Sequence, residues 1–285
     1  MNKLFFYAFL FVFSSSVFGQ TCNTDNSWNQ PVEPFKITEN IYYVGANDVT
    51  SYLITTAKGH ILLDSGFAET VPLIKANIAK LGFELTDVKA IINSHAHCDH
   101  AGGLAELKRL TKSRLYASEA DAKLLARGGK DDPNFGNELL FEPVTADSTF
   151  VDGWKLKLGG VSLTANVTPG HTKGCTTWTT AVKEGKRKLN VVFVCSTSAP
   201  GYKLVGNEKY PEIASDYENT FRRMRAMKVD LFLASHATAY GMSEKAEKLK
   251  AGAKTNPFID PAGYKAYIDA TESSFRKTLE MQRAK

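Results

Sequence analysis

The chain has 285 residues, 43% of them hydrophobic and 23% charged, with a formal net charge of +5. These proportions exclude a disordered or fibrous chain, and the length admits one large core or two ordinary domains. The lysines and arginines are scattered among acids, without the basic run and interleaved aromatics of a nucleic-acid groove; the small excess suits an anionic substrate or a mixed, solvated surface.

The first twenty residues read as a leader. Asn2 and Lys3 precede an apolar run, Leu4 to Phe13, and small residues lead to Gly19. A positive start, a short apolar run and small residues before a cut make a secretory signal peptide, with cleavage expected after Gly19. The run is short for a membrane span. Cys22 follows Gly19, Gln20 and Thr21, which lack the small, apolar pattern of a lipid anchor, so a soluble product is expected. Export makes disulfides possible for Cys22, Cys98, Cys175 and Cys195; four cysteines allow three full pairings, and the sequence does not choose.

After a polar stretch, residues 21 to 34, strands are predicted at 41–44, 51–54 and 60–63, each apolar or β-branched and bounded by Gly or Asn. A helix is predicted from Val71 to Leu81, stopped by Gly82. A buried strand at 89–92 leads directly into His95, Ala96, His97, Cys98, Asp99 and His100. A helix at 104–110, a strand at 113–116 and a helix at 119–125, capped by Ser118, follow. Further strands are predicted at 154–158, 162–167, 176–182 and 189–194. A helix near 217–227, a strand at 230–233 and a terminal helix near 261–281 complete the reading. No repeat or Gly/Ser-rich linker divides the chain, so residues 20–285 are expected to form one domain of two packed sheets with helices outside.

Three of the six histidines fall within six residues, together with Asp99. Alternate side chains of an extended backbone share a face, so His95 and His97 can reach one metal. Imidazole and carboxylate suit zinc, and two metals divide four adjacent donors more naturally than one. His171 follows a strand after Pro169 and Gly170, and His236 ends the apolar run 230–235. Both are read as distal ligands on loops at strand ends. Asp64, closing another strand, either orients a ligand histidine or its loop or simply forms a turn. His60 has no ligand-type neighbours and is read as structural.

At these residues the chain resembles the metallo-β-lactamase superfamily, whose signature is His-x-His-x-Asp-His after a strand. The likeness includes residues 62–66 (Leu-Leu-Asp-Ser-Gly), the signature with Gly102 and Gly103, residues 168–172 (Thr-Pro-Gly-His-Thr) and the late Ser235 and His236. It implies an α/β fold, a four-layer αββα sandwich. It also implies two zinc ions, one held by His95, His97 and His171 and the other by Asp99, His100 and His236. Glyoxalase II-like thioesterases carry a metal-bridging Asp after the strand ending at Val194. This chain has none there and reads Ser196, Thr197, Ser198, Ala199, Pro200, Gly201, Tyr202, which is similar to subclass B3 metallo-β-lactamases. Residues 174–178 share that likeness. Two positions depart from it: Cys195 stands where many members carry Asp, and Cys175 where Ser is usual. Other subclasses use a cysteine of this region as a zinc ligand; here His100 fills that place, and Cys195 is not counted as a ligand. Cys98 is expected to point away from the metals.

The resemblance implies opening of the β-lactam ring of penicillins, cephalosporins and carbapenems by a zinc-bound hydroxide, conferring antibiotic resistance. Asp99 would fix the hydroxide and pass a proton, and Ser196 and Ser198 would bind the substrate carboxylate. The protein is expected to be periplasmic and monomeric, acting on a small molecule with neither nucleic acid nor, after cleavage, membrane as partner. A secreted lactonase or thioesterase on the same site is the alternative, and a zinc-stabilised binding protein a third reading.

Overall fold

Short apolar runs separated by glycine and asparagine pair into two sheets. The computed structural model describes Cys22 and residues 26–285, so the expected leader, residues 1–19, lies outside the described residues. The first sheet holds β1 (Phe35–Thr38), β2 (Ile41–Tyr43), β3 (Tyr52–Ile54), β4 (His60–Leu63), β5 (Val88–Ile92), β6 (Arg114–Ser118) and β7 (Ser148–Phe150), in that spatial order. β1 to β4 are antiparallel neighbours; β4 to β7 are parallel. Parallel pairs need crossovers. α1 (Val71–Lys80), then α2 (Cys98–Ala101) with α3 (Leu104–Thr111), then α4 (Glu119–Ala126) supply them.

The second sheet runs β12 (Leu231–Ala234), β11 (Arg187–Val194), β10 (Thr176–Glu184), β9 (Val161–Val167), β8 (Lys155–Leu158). Only β11 and β12 are parallel, joined through α5 (Ile213–Arg225). α6 (Met242–Lys250) and α7 (Pro261–Arg283) close the chain.

Strand alternation explains the layers. Tyr52, Ile54, Ile61, Leu63 and Ile92 pack toward Trp178, Val191 and Phe193 of the second sheet. Their neighbours Leu53, Leu62 and Ile91 face the other way, onto Ile74 and Ile78 of α1 and Leu104 and Leu107 of α3. A strand covered on both faces reads as a continuous apolar run, which is the pattern of β4 and β5. Phe221 and Met224 of α5 and Ile268 and Phe275 of α7 belong to the core of the second sheet. The result is the αββα sandwich. Buried Trp178 crosses between the sheets, its Nε1 donating to the Asn93 carbonyl at 3.1 Å, directly below the histidine loop.

The predicted elements occur with ends shifted by a few residues, and four were not read, among them the single turn α2 within the histidine segment. β1 and β7 have four and three residues, too few to show a period. α6 fully buries only Met242, with Ala246 and Leu249 partly buried on the same face, a stripe too short and too weakly apolar to stand out among its lysines and glutamates. α5 begins four residues before the expected Tyr217, because Ile213 is already a core residue. Ser118 caps α4 as expected, accepting from Asp121 N.

The cysteine pairing left open by the sequence is settled: Cys22 is bonded to Cys98 and Cys175 to Cys195, leaving no free cysteine among the described residues. Cys98 packs with Cys22, Val49 and Phe67.

Candidate metal centre

Six strands deliver residues to one end of the sandwich: Asp64 after β4, His95 after β5, Asp121 after β6, His171 after β9, Ser196 after β11 and His236 after β12. Loops at strand ends carry sites in layered α/β folds because the sheet below holds them rigid.

The histidine loop is splinted by the segment after β4. Asp64 sits in the left-handed region with φ 62°. Its carboxylate accepts from Ser94 N at 2.6 Å and Asn93 Nδ2 at 2.9 Å. Ser65 N and Oγ both donate to the His100 carbonyl, at 3.0 and 2.9 Å. Asp64 is therefore both the turn residue and the anchor of the ligand loop. At Gly102 a Cβ would stand 2.5 Å from the Cys98 carbonyl oxygen and 2.8 Å from Ala68 N, so close packing of two backbones requires glycine there.

All six expected donors converge. The first group joins His95, His97 and His171, whose donor atoms lie within 4.8 Å of one another; His95, Asp99 and His100 form a second such group. His97 Nδ1 lies 3.1 Å from His171 Nε2, and His100 Nε2 lies 3.3 Å from His236 Nε2. The Asp99 carboxylate is 3.2 Å from His100 Nε2 and 3.4 Å from His236 Nε2.

The far nitrogens of His171 and His236 are hydrogen-bonded, which fixes their tautomers, whereas those of His97 and His100 are buried beside carboxylates without a hydrogen bond. His171 Nδ1 donates to the Ser198 carbonyl at 2.9 Å, and His236 Nδ1 to Asp48 at 2.9 Å. His97 Nε2 faces Asp132 at 3.4 Å, and His100 Nδ1 faces Asp64 at 3.7 Å. With the proton on the outward nitrogen, the state that metal binding requires, each inward nitrogen would present a lone pair. Lone pairs 3.1 and 3.3 Å apart repel unless a cation lies between them. His95 Nε2 is in addition buried without a hydrogen-bond partner. The residues present fit divalent cations with nitrogen and oxygen ligands.

The electrostatics agree. Burial, reinforced by the neighbouring imidazoles, keeps His95 well below the usual histidine range and brings His171 down to about 3. Burial acts against the charge on Asp99, but His100 and His236 prevail and hold its carboxyl well below the usual range. Burial also opposes a proton on His236, yet Asp48 and Asp99 on either side raise it to about 10.

Asp48, Asp121 and Asp132 were not singled out in the sequence. Asp121 accepts from Ala96 N at 3.0 Å, Thr172 Oγ1 at 2.8 Å and Gly174 N at 2.9 Å, tying the His95–His97 segment to the His171 loop. Each is a carboxylate outside the histidine segments whose role comes from tertiary apposition, and no local pattern marks it. The remaining expectations fall as follows. His60 lies away from the cluster, edge-on to Phe83 at 5.1 Å. Ser196 and Ser198 have their hydroxyls 3.1 Å apart. They line an open cleft of about 600 Å³ together with Trp28, Asp48, His236 and Tyr267. Cys195 Sγ is 3.6 Å from His95 Nδ1, but its bond to Cys175 occupies the sulfur.

An αββα sandwich with a His/Asp metal centre at the strand ends defines a class of metal-dependent hydrolases. The family model of the Metallo-beta-lactamase superfamily matches residues 44–236, and the chain belongs to that superfamily. It is similar to the native FEZ-1 metallo-beta-lactamase from Legionella gormanii, with 42% identity and a TM-score of 0.88 over 90% of this chain and 99% of that one. It is also similar to BJP-1, a subclass B3 metallo-beta-lactamase of Bradyrhizobium japonicum, with 43% identity and a TM-score of 0.85 over 90% and 97%. A curated relative, a hydroxyacylglutathione hydrolase of Rhodopseudomonas palustris (strain BisB5), is 32% identical over 126 residues, 44% of this chain. The match spans 40% of that relative's length.

Proposed function

We propose that this protein is a dizinc β-lactamase of the subclass B3 type, opening penicillins, cephalosporins and carbapenems and conferring resistance to them. One observation carries the reading: six donors stand in two sets, His95, His97 and His171 beside Asp99, His100 and His236, with inward nitrogens 3.1 and 3.3 Å apart. Three protein donors per metal leave positions open for substrate and water, unlike a closed structural site. That disfavours a binding protein without turnover.

When bound, two zinc ions would supply Lewis acidity and a water acidic enough to attack near neutral pH. The chain's own residues do the rest. Asp99, ionised and directed at the His100 and His236 nitrogens, is placed to orient the attacking water and to take up its proton. Asp48 and the Ser198 carbonyl hold His236 and His171 in one tautomer, and Asp132 and Asp64 face the outer nitrogens of His97 and His100. Ser196 and Ser198 line the cleft and are suited to donate to the carboxylate beside the lactam ring. No side-chain nucleophile is required.

A thioester or lactone hydrolase is the second reading, favoured by the curated relative. The loop after β11 argues against it: Cys195 is tied up in a disulfide, and residues 196–202 contain no carboxylate to bridge two metals. The protein is proposed to act in the periplasm as a monomer on a small-molecule substrate, with no nucleic-acid or membrane partner. The leader sequence supports export, and two disulfides suit an oxidising compartment. Purified, zinc-loaded protein is assayed against a penicillin, a cephalosporin, a carbapenem, an acyl-glutathione and an acyl-homoserine lactone. Turnover of the three β-lactams is expected; turnover confined to the thioester or lactone would overturn the proposal.

A further inference from the structure

Of the five large hydrophobic side chains exposed among the described residues, Trp28 alone lines the cleft beside the metal centre. Its indole, 43% exposed, stands edge-on to the His236 imidazole with ring centroids 5.4 Å apart.

The arm carrying Trp28 is fixed at several points. Asp48 N and Val49 N both donate to the Trp28 carbonyl at 3.2 Å. Asn47 Nδ2 donates to the Ser27 carbonyl at 2.6 Å, and Asn47 Oδ1 accepts from Gln30 N at 2.7 Å. Thr70 Oγ1 donates to Asn29 Oδ1 at 2.8 Å. Upstream, Cys22 is bonded to Cys98, which lies between the donors His97 and Asp99. The arm is therefore tied covalently to the loop whose ligands it adjoins.

An indole held rigidly and left wet loses the free energy that burying it would yield, and it binds an apolar group without further loss of its own freedom. Tyr267 and Ala239 extend the apolar lining of the same cleft. We infer that Trp28 is a specificity-determining residue: its ring receives an apolar, preferably aromatic, substituent of the substrate, and Cys22, through Cys98, is a positioning residue for that wall. The inference rests on the β-lactamase reading and goes beyond it by naming the substituent selected.

Benzylpenicillin, which carries a phenylacetyl group, is compared with 6-aminopenicillanic acid, the same nucleus without it. For Trp28→Ala, KM for benzylpenicillin is expected to rise about tenfold with kcat within about twofold, while both parameters for 6-aminopenicillanic acid stay within about twofold. Trp28→Phe is expected to recover most of the loss. Cys22→Ser is expected to shift KM for benzylpenicillin in the same direction with zinc content unchanged. Equal effects on both substrates, or none on either, would overturn the inference. Turnover of 6-aminopenicillanic acid by the unaltered protein tests the β-lactamase reading separately. If neither compound turns over, tryptophan fluorescence decides: quenching by benzylpenicillin that disappears in Trp28→Phe supports the wall, and quenching that persists or is never seen overturns it.

Discussion

His236 Nδ1 and the Asp48 carboxylate meet at 2.9 Å although 188 positions separate them in the chain. The same carboxylate accepts from Thr238 N at 2.9 Å, and the Asp48 carbonyl accepts from Ala237 N at 2.8 Å. Asp48 thus orients both the ligand ring and the backbone that carries it. Asp48→Ala is expected to weaken the His236-side metal site about 10- to 100-fold, the usual effect of removing a carboxylate behind a ligand histidine. Competition with a chromophoric chelator measures this. Unchanged affinity would contradict this supporting role of Asp48.

The disulfide between Cys175 and Cys195 joins the start of β10 to the segment just before Ser196, closing a loop with a sequence separation of 20. By loop-closure entropy it contributes on the order of 3 kcal/mol. The double variant Cys175→Ser, Cys195→Ser should unfold at a lower denaturant midpoint, with an m-value no smaller than that of the unaltered protein because the unlinked unfolded chain exposes more surface. A midpoint equal to that of the unaltered protein contradicts this.

Ser198 has two separable roles. Its carbonyl holds His171, whereas its hydroxyl lies 3.1 Å from that of Ser196 and 3.4 Å from His171 Nδ1 and lines the cleft. Ser198→Ala keeps the carbonyl, so zinc content should not change, while KM for a β-lactam should rise about tenfold through loss of a hydrogen bond to a carboxylate. A fall in zinc content would show that the hydroxyl also supports the metal centre.

Away from the site, Asp260 caps α7. Burial works against its charge, but the Lys245 ammonium at 2.7 Å and the Gly263 N–H hold its carboxyl below the usual carboxylate range. A carboxylate with a depressed folded-state pKa adds stability above its unfolded value of about 3.9 and loses it as the pH falls through the folded value. Asp260→Ala should therefore cost about 1 kcal/mol at neutral pH, and the difference should shrink below about pH 4. Denaturant melts at pH 7 and pH 3.5 measure it; a difference that persists in acid contradicts the assignment.

What the sequence revealed follows from how far each signal reaches. His95 to His100 are contiguous, so their chemistry is visible before any folding. His171 and His236 are legible because each ends an apolar strand, and a strand end is a place in the fold. Asp121 and Asp132 have no such marker: one opens a helix, the other sits in a loop, and both reach the histidines only through tertiary packing. The pairing of Cys22 with Cys98 is opaque for the same reason. α7 is legible because Tyr264, Ile268, Phe275 and Leu279 form a buried stripe along it, and α6 is not because only Met242, Ala246 and Leu249 break its run of charged residues.

Metal dependence is the central claim, and one measurement tests it directly: carbapenem hydrolysis by the purified protein before chelation, after chelation and after zinc is restored. Turnover should vanish with the chelator and return as zinc rises toward two equivalents per chain. Hydrolysis that survives complete metal removal, or full activity with no bound zinc, would contradict the account.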